Sequence, residues 1–237
     1  ARRGNAADEL YSTAVLRNPT IPIYNEDGTY YENSNGANPV ELLNEYGGLN
    51  KYNQLSLSTK IVAEPVRNLK LSATGAYQND YNIFEWTSTH KAYNSVMGSE
   101  KGSATLNGGH GDDRTLELQA DWSGTFGAHS LSTTLGYSWN RFIYQNWSMY
   151  AFNFPVDGFG AWNIGSAEST RDGLSTLSSL MTERKLIGFY GRVNYNYDER
   201  FLLMVSARYE GSDKFGRNNR WGWFPSGLLA GIIPLTH

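Results

Sequence analysis

The sequence predicts an all-β chain, with an antiparallel transmembrane β-barrel segment favoured over a soluble sandwich. Three observations predict it. Side chains alternate in polarity with period two, turns of two to four residues alternate with long polar stretches, and aromatic rings collect near the ends of the alternating segments. The clearest alternation is "GRVNYNYDERFLLMVSARYEGS", residues 191–212. Val193, Tyr195 and Tyr197 share one face of an extended chain, and Arg192, Asn194 and Asn196 the other. After Asp198-Glu199-Arg200 the pattern restarts. Phe201, Leu203, Val205, Ala207 and Tyr209 then oppose Ser206, Arg208 and Glu210. An abrupt charged break between two such runs is a hairpin. A sandwich would bury the apolar face in a core; a membrane barrel would turn it to lipid and line a lumen with the polar one.

The other elements follow in chain order. Residues 1–50 are rich in Asn, Gly and Pro, carry no sustained period, and read as a loop-rich N-terminal, extracellular segment with a turn at Glu26-Asp27-Gly28. Residues 51–237 read as the transmembrane strand segment. Strands are expected near 52–64 and 68–81, joined at Glu64–Arg67, with Leu69, Leu71, Ala73 and Tyr77 opposite Lys70, Ser72, Thr74 and Gln78. A long polar stretch covers 82–113. The next pair, near 114–126 and 129–145, turns at Gly127-Ala128. Leu116, Leu118, Ala120 and Trp122 oppose Glu117, Gln119, Asp121 and Ser123; Leu131, Leu135, Tyr137 and Trp139 oppose Ser130, Ser132, Thr134 and Ser138. A second long stretch covers 146–182, a hairpin 185–211, a third polar stretch 212–220, and a last strand lies near 221–232. The segments run about 11–16 residues, against about 5–6 for a soluble strand. Short turns on one side and long loops on the other are the plan of outer-membrane barrels.

Composition narrows the partners. Aromatics are 14% of the 237 residues, led by 16 Tyr and 7 Trp, rings that settle at membrane interfaces or in carbohydrate sites. The net charge of −3 argues against a nucleic-acid surface, and the absence of Cys removes disulfides and thiol chemistry. No apolar run reaches the ~20 residues of a membrane helix. The chain opens Ala1-Arg2-Arg3, without Met or an apolar signal segment, as a mature chain or a piece of a longer one would.

The segment 189–226, "FYGRVNYNYDERFLLMVSARYEGSDKFGRNNRWGWFPS", carries a denser motif. Gly191-Arg192, Arg200-Phe201-Leu202-Leu203, Gly211-Ser212, Phe215-Gly216, Asn219-Arg220-Trp221-Gly222 and Phe224-Pro225-Ser226 stand in order over almost forty residues. This region closely resembles the signature of SusC/RagA-type TonB-dependent outer-membrane transporters, with weaker echoes at Asn18-Pro19-Thr20 and Asn38-Pro39-Val40. Glu210 stands where that pattern usually has Asp, and Asp213 where it often has Ser. The resemblance implies a bacterial outer-membrane location and import of bulky nutrients, oligosaccharides or peptides. It implies a SusD-like surface lipoprotein as partner, and TonB–ExbB–ExbD acting through a plug domain that these residues do not contain. Seven strands against the ~22 of this transporter class imply an internal barrel piece or a truncated product.

Enzyme chemistry has little support. The four His are scattered, without a helical pair for zinc, and no nucleophile elbow or phosphate-cradling loop occurs. "GGHGDD", 108–113, reads as a solvated loop before it reads as a metal turn. Neither metal nor cofactor is expected. Arg217 and Arg220 beside Trp221 and Trp223 read as an extracellular loop before they read as a strand-stacking platform. Loop 146–182 holds Trp147, Tyr150, Phe152, Phe154, Phe159 and Trp162 among Gly, Ser and Asn. Rings in an exposed loop pack internally, on a partner, or on a ligand; Trp147, Tyr150 and Trp162 are the candidates for ligand or partner contact. The competing reading is a soluble β-rich surface module for carbohydrate, whose apolar faces would pack into a core.

Overall fold

The computed structural model describes residues 6–31, 38–216 and 218–231. Seven strands form one sheet in sequence order: β1 (Tyr46–Val66), β2 (Leu69–Ser88), β3 (Ser103–Phe126), β4 (His129–Phe152), β5 (Thr176–Tyr197), β6 (Phe201–Ser212) and β7 (Trp221–Gly231). Helices are short: α1 (Ala6–Leu16), α2 (Pro39–Asn44), α3 (Tyr93–Met97), a 3-10 turn at Gly160–Ser166, and α4 (Glu168–Arg171). Among the described residues no helix is long and apolar enough to cross a membrane. The turns at 127–128 and 198–200 lie where the glycine and charged breaks predict them; the first, expected at Glu64–Arg67, falls at 67–68, because β1 runs on through Val66. Asp198 and Glu199 take positive φ of 51° and 53°, Gly127 58° and Asn68 68°, the left-handed conformations tight hairpins need.

The strands are longer than the alternation predicts. The expected loop 82–113 shrinks to 89–102, and 146–182 to 153–175. "GGHGDD" is part of β3, not a loop. The reason is what covers these strand halves. Ala104 and Leu106 of β3 lie buried beneath the 153–167 segment, so one small apolar residue at every second position suffices and the periodic signal is weak. The N-terminal region also holds structure its composition hides. Asn38 is fully buried; its side chain accepts from Val40 N–H at 3.1 Å, and its amide donates to the Ile23 and Tyr31 carbonyls. With Pro39 opening α2, this is an N-cap arrangement spelled out by "NPVELLN".

The chain folds as two compact units. The first comprises residues 1–53, 80–110 and 145–181; the second 54–79, 111–144 and 182–237. The first unit holds a small core of Ala104, Leu106, Ala151, Phe154, Ala161, Ile164 and Ala167. Three carboxylates grip residues 89–93, two from α2 and its C-cap and one from the 153–159 segment. The Glu45 carboxylate accepts from the Thr89 hydroxyl, Asp157 accepts from His90 N–H at 2.9 Å, and buried Glu41 accepts from Tyr93 N–H at 2.6 Å. The Asp27-Gly28 turn closes a Tyr24–Tyr30 bridge as predicted, with Gly28 at φ 83°.

In the second unit the register of β5, β6 and β7 is continuous. Phe189 pairs with Tyr209, Gly191 with Ala207, Val193 with Val205, and Tyr197 with Phe201; Tyr209, Ala207 and Leu203 then pair with Trp223, Pro225 and Leu229. These residues form one apolar face, and it is uncovered: Leu135 is 60% exposed, Val205 50% and Leu229 78%. A soluble module would have packed that face. Four apolar side chains, Leu202, Met204, Leu228 and Ala230, occupy the other face near the short turn, a detail the alternation does not show.

The hydroxyl of Tyr30 donates to Glu45 at 2.6 Å, and burial, then this bond, holds its phenol above the ordinary tyrosine range. A raised acid is stabilising while protonated. Its contribution is whole below the unfolded tyrosine value of about 10 and is lost as pH rises through the folded value. Denaturation midpoints are expected to fall for the wild type between about pH 8 and pH 11 more steeply than for Tyr30→Phe. Parallel curves would refute the assignment.

Candidate functional site

The polar face of the second unit is a connected wall. Tyr190 lies flat over Gly136: a Cβ added there would stand 2.1 Å from the ring. Its hydroxyl donates to Gln119 Oε1 at 3.1 Å, the Gln119 amide donates to Asp121 at 2.7 Å, and Thr134 donates to the other Asp121 oxygen at 2.7 Å. Asn140 donates to Asp113 at 2.6 Å, and Asn194 to Ser132 at 3.2 Å. The Arg208 guanidinium sits 6.0 Å above the Tyr190 ring, reaches Ser138, and pairs with Glu210. Glu117, Tyr190, Arg192, Arg208 and Phe224 line a concavity of about 480 Å³. Nothing here resembles a nucleophile with its base. The arrangement is a hydrogen-bonded polar surface.

The opposite face carries two bands of rings. Near the short turns, Trp122 stacks with Phe126 at 6.2 Å, His129 lies against Tyr195 and Tyr197, and Tyr197 against Phe201. At the far end, Tyr137 meets Phe189, Phe189 and Tyr209 meet Trp221, and Tyr209 meets Trp223 at 4.7 Å. Phe189 and Tyr197 are eight residues apart on β5, about 26 Å along the strand and about 20 Å of height at a tilt of about 40°. That is somewhat short of the apolar band of about 25 Å in outer-membrane barrels. Charge returns just beyond the upper rings. Arg141, four residues past Tyr137, pairs with Glu183 at 2.7 Å, which also holds Lys185 at 3.0 Å; Arg114 pairs with Asp112 and lies over Tyr77.

Most of the signature residues serve the β5–β7 geometry. Gly211 admits the Trp221 ring, since a Cβ would stand 2.7 Å from it, and Gly222 lies under Phe224. Gly191 faces Ala207 across the ladder, Pro225 pairs with Ala207, and Ser226 shares a 2.7 Å hydrogen bond with Ser206. Ser212 N–H donates to the Arg220 carbonyl and Asn219 N–H to that of Gly216, closing the 213–220 loop. Arg200 pairs with Asp198 at 3.4 Å, Phe215 is exposed, and Arg192 faces the polar concavity. Arg217 lies outside the described residues.

The three ring candidates make separate contacts. Trp147 covers Gly108 and approaches Tyr81 at 6.2 Å; Tyr150 meets Phe152 at 6.0 Å; Trp162 donates its indole N–H to Glu85 at 2.8 Å and stays 64% exposed. Trp147 and Tyr150 belong to β4 rather than to a loop and point to opposite faces of it. Sequence reasoning missed Tyr190 and Gly136 as partners. Tyr190 shares a face of β5 with Arg192 and Asn194, but only the register sets it over a glycine.

The family model described as "TonB dependent receptor-like, beta-barrel" matches residues 3–230. "TonB-dependent receptor P3" of Formosa agariphila is 27% identical over 241 residues, covering 96% of this chain and 22% of its own length. "TonB-dependent receptor SusC" of Bacteroides thetaiotaomicron is 32% identical over 77 residues, 31% of this chain. The chain therefore spans about a fifth of the P3 relative. Among solved structures, the "RagAB peptide transporter" superposes with a TM-score of 0.71 at 17% identity, covering 84% of this chain and 22% of that one, a likeness of fold.

Gly136→Val is expected to drive the Tyr190 ring off the wall, break its bond to Gln119, and cost about 1–3 kcal/mol of overpacking. Adding Tyr190→Ala should recover most of that loss. Urea midpoints of the two single variants and the double variant, in detergent, measure the coupling; additive losses would show that the two do not touch.

Proposed function

Since the chain belongs to the TonB-dependent receptor-like β-barrel family, whose members are bacterial outer-membrane proteins, we propose that it forms part of the wall of a transporter importing bulky nutrients, oligosaccharides or peptides. The proposal extends to TonB–ExbB–ExbD as the energy source through a plug, and to a SusD-like lipoprotein over the outer opening. The observation that carries it is the uncovered apolar face bounded by two ring bands, with a hydrogen-bonded polar face behind it. Such a face is stable against hydrocarbon, and the polar one against a water-filled lumen. No specific residue constellation argues for an enzyme.

In this reading the short turns at 67–68, 127–128 and 198–200 face the periplasm and the long connections face outward. Ala128 and Asp172 are both exposed. In intact cells expressing the protein, a membrane-impermeant thiol reagent is expected to label Asp172→Cys and to spare Ala128→Cys. The reverse pattern would overturn the orientation.

Trp147, Tyr150 and Trp162 are the proposed contacts for ligand or lipoprotein, with exposed Trp162 the foremost. Replacing all three by Ala should lower nutrient uptake or lipoprotein co-purification by about tenfold, the scale of one or two buried ring contacts. Unchanged uptake together with unchanged co-purification would remove them from the site.

A further inference from the structure

A second concavity, of about 320 Å³, lies wholly within the first unit. Its walls come from the start of β1, the end of β2, the start of β3 and the 154–160 segment. Three rings line it, Tyr46, Phe154 and Phe159, together with two carboxylates, Glu45 and Asp157. Thr87, Ser88 and Ser103 add hydroxyl groups, and no Lys or Arg is part of the lining.

The carboxylates are held by hydrogen bonds from hydroxyls, a backbone N–H and the His90 ring, the last an ion pair when that ring is protonated. Glu45 accepts from the Tyr30 and Thr89 hydroxyls. Asp157 uses one oxygen, Oδ1, for both His90 N–H and His90 Nδ1. Neither forms an ion pair with Lys or Arg among the described residues. An ionised carboxylate offers about four lone-pair sites, so each keeps acceptor capacity after these bonds. Their partners fix their directions beforehand, which lowers the ordering cost of a ligand. Aromatic faces beside negative groups also attract a cation, through the ring quadrupole and through Coulomb attraction.

We propose that this concavity binds an organic cation, an ammonium or guanidinium group. Asp157 and Glu45 accept its N–H bonds, and Phe159 and Tyr46 meet its apolar or cationic surface. The group could be carried by a basic side chain of a peptide or protein, or by a free polyamine; the recognising chemistry is the same. The site does not depend on the import reading, because binding is measured on the purified protein.

The test is titration calorimetry in detergent at low ionic strength, with three probes. These are N-acetyl-arginine methylamide, its neutral isostere N-acetyl-citrulline methylamide, and spermidine. The arginine derivative should bind at least about tenfold tighter than the citrulline one, the worth of one charge-assisted hydrogen bond. Asp157→Asn and Glu45→Gln should each reduce its affinity, and added salt should weaken it. His90→Ala, which keeps both carboxylates but removes one clamp, should bind more tightly than Asp157→Asn and so separates charge from loop support. Spermidine stronger than the arginine derivative identifies a free polyamine as the ligand source; the reverse identifies a side chain. Equal affinity for arginine and citrulline derivatives, or affinity unmoved in the Asp157→Asn, Glu45→Gln double variant, would overturn the proposal.

Discussion

Backbone N–H and C=O groups that have left water must find partners, and this constraint shapes everything else in the chain. A strand in hydrocarbon can satisfy them only through its neighbours. The protein therefore lays seven strands side by side in sequence order, each bonded to the next. Consecutive antiparallel pairing needs short connections at one end, and the left-handed residues Asn68, Gly127, Asp198 and Glu199 supply them. Once the ladder is fixed, side-chain polarity is decided position by position, because neighbours along a strand point to opposite faces.

That logic explains why the two faces look so unlike each other. On one, Val193, Val205, Leu203 and Leu229 need no partner beyond an apolar surrounding, so they remain uncovered and weakly specified. On the other, each polar group needs a donor or acceptor, and the result is a chain of bonds running Thr134, Asp121, Gln119, Tyr190, with Arg208 stacked on the ring. Rings mark both limits of the apolar band, and ion pairs such as Arg141–Glu183 resume just beyond it. A transition from apolar to aromatic to charged along a strand is the profile of a bilayer read in side chains.

Much of this was legible in the sequence. Wherever one face meets hydrocarbon, period-two alternation is strong, so the 185–211 hairpin, its charged turn and its continuation at Trp221 could be read directly, and the signature motif then pointed to the family. Elsewhere the signal fades for physical reasons. The Ser103–Asp113 half of β3 is covered by a chain segment, and Ala104, Leu106 and glycines suffice there. The cap that starts α2 was present in "NPVELLN" but hidden in a Pro- and Asn-rich stretch that also reads as loop. Neither concavity was legible, because each draws residues from strands far apart in sequence.

One feature recurs in both units. A ring on one strand lies over a glycine of its neighbour: Trp147 over Gly108, Tyr190 over Gly136, Trp221 over Gly211. The glycine gives up its own side chain, and the ring fills that space and shields the backbone bonds beneath. Neither member has its value alone. In the history of such a sequence the two positions form a single heritable unit, so a lineage that loses the ring is freed to replace the glycine, while one that replaces the glycine first passes through a strained intermediate. The order in which such pairs change is thus set by sterics.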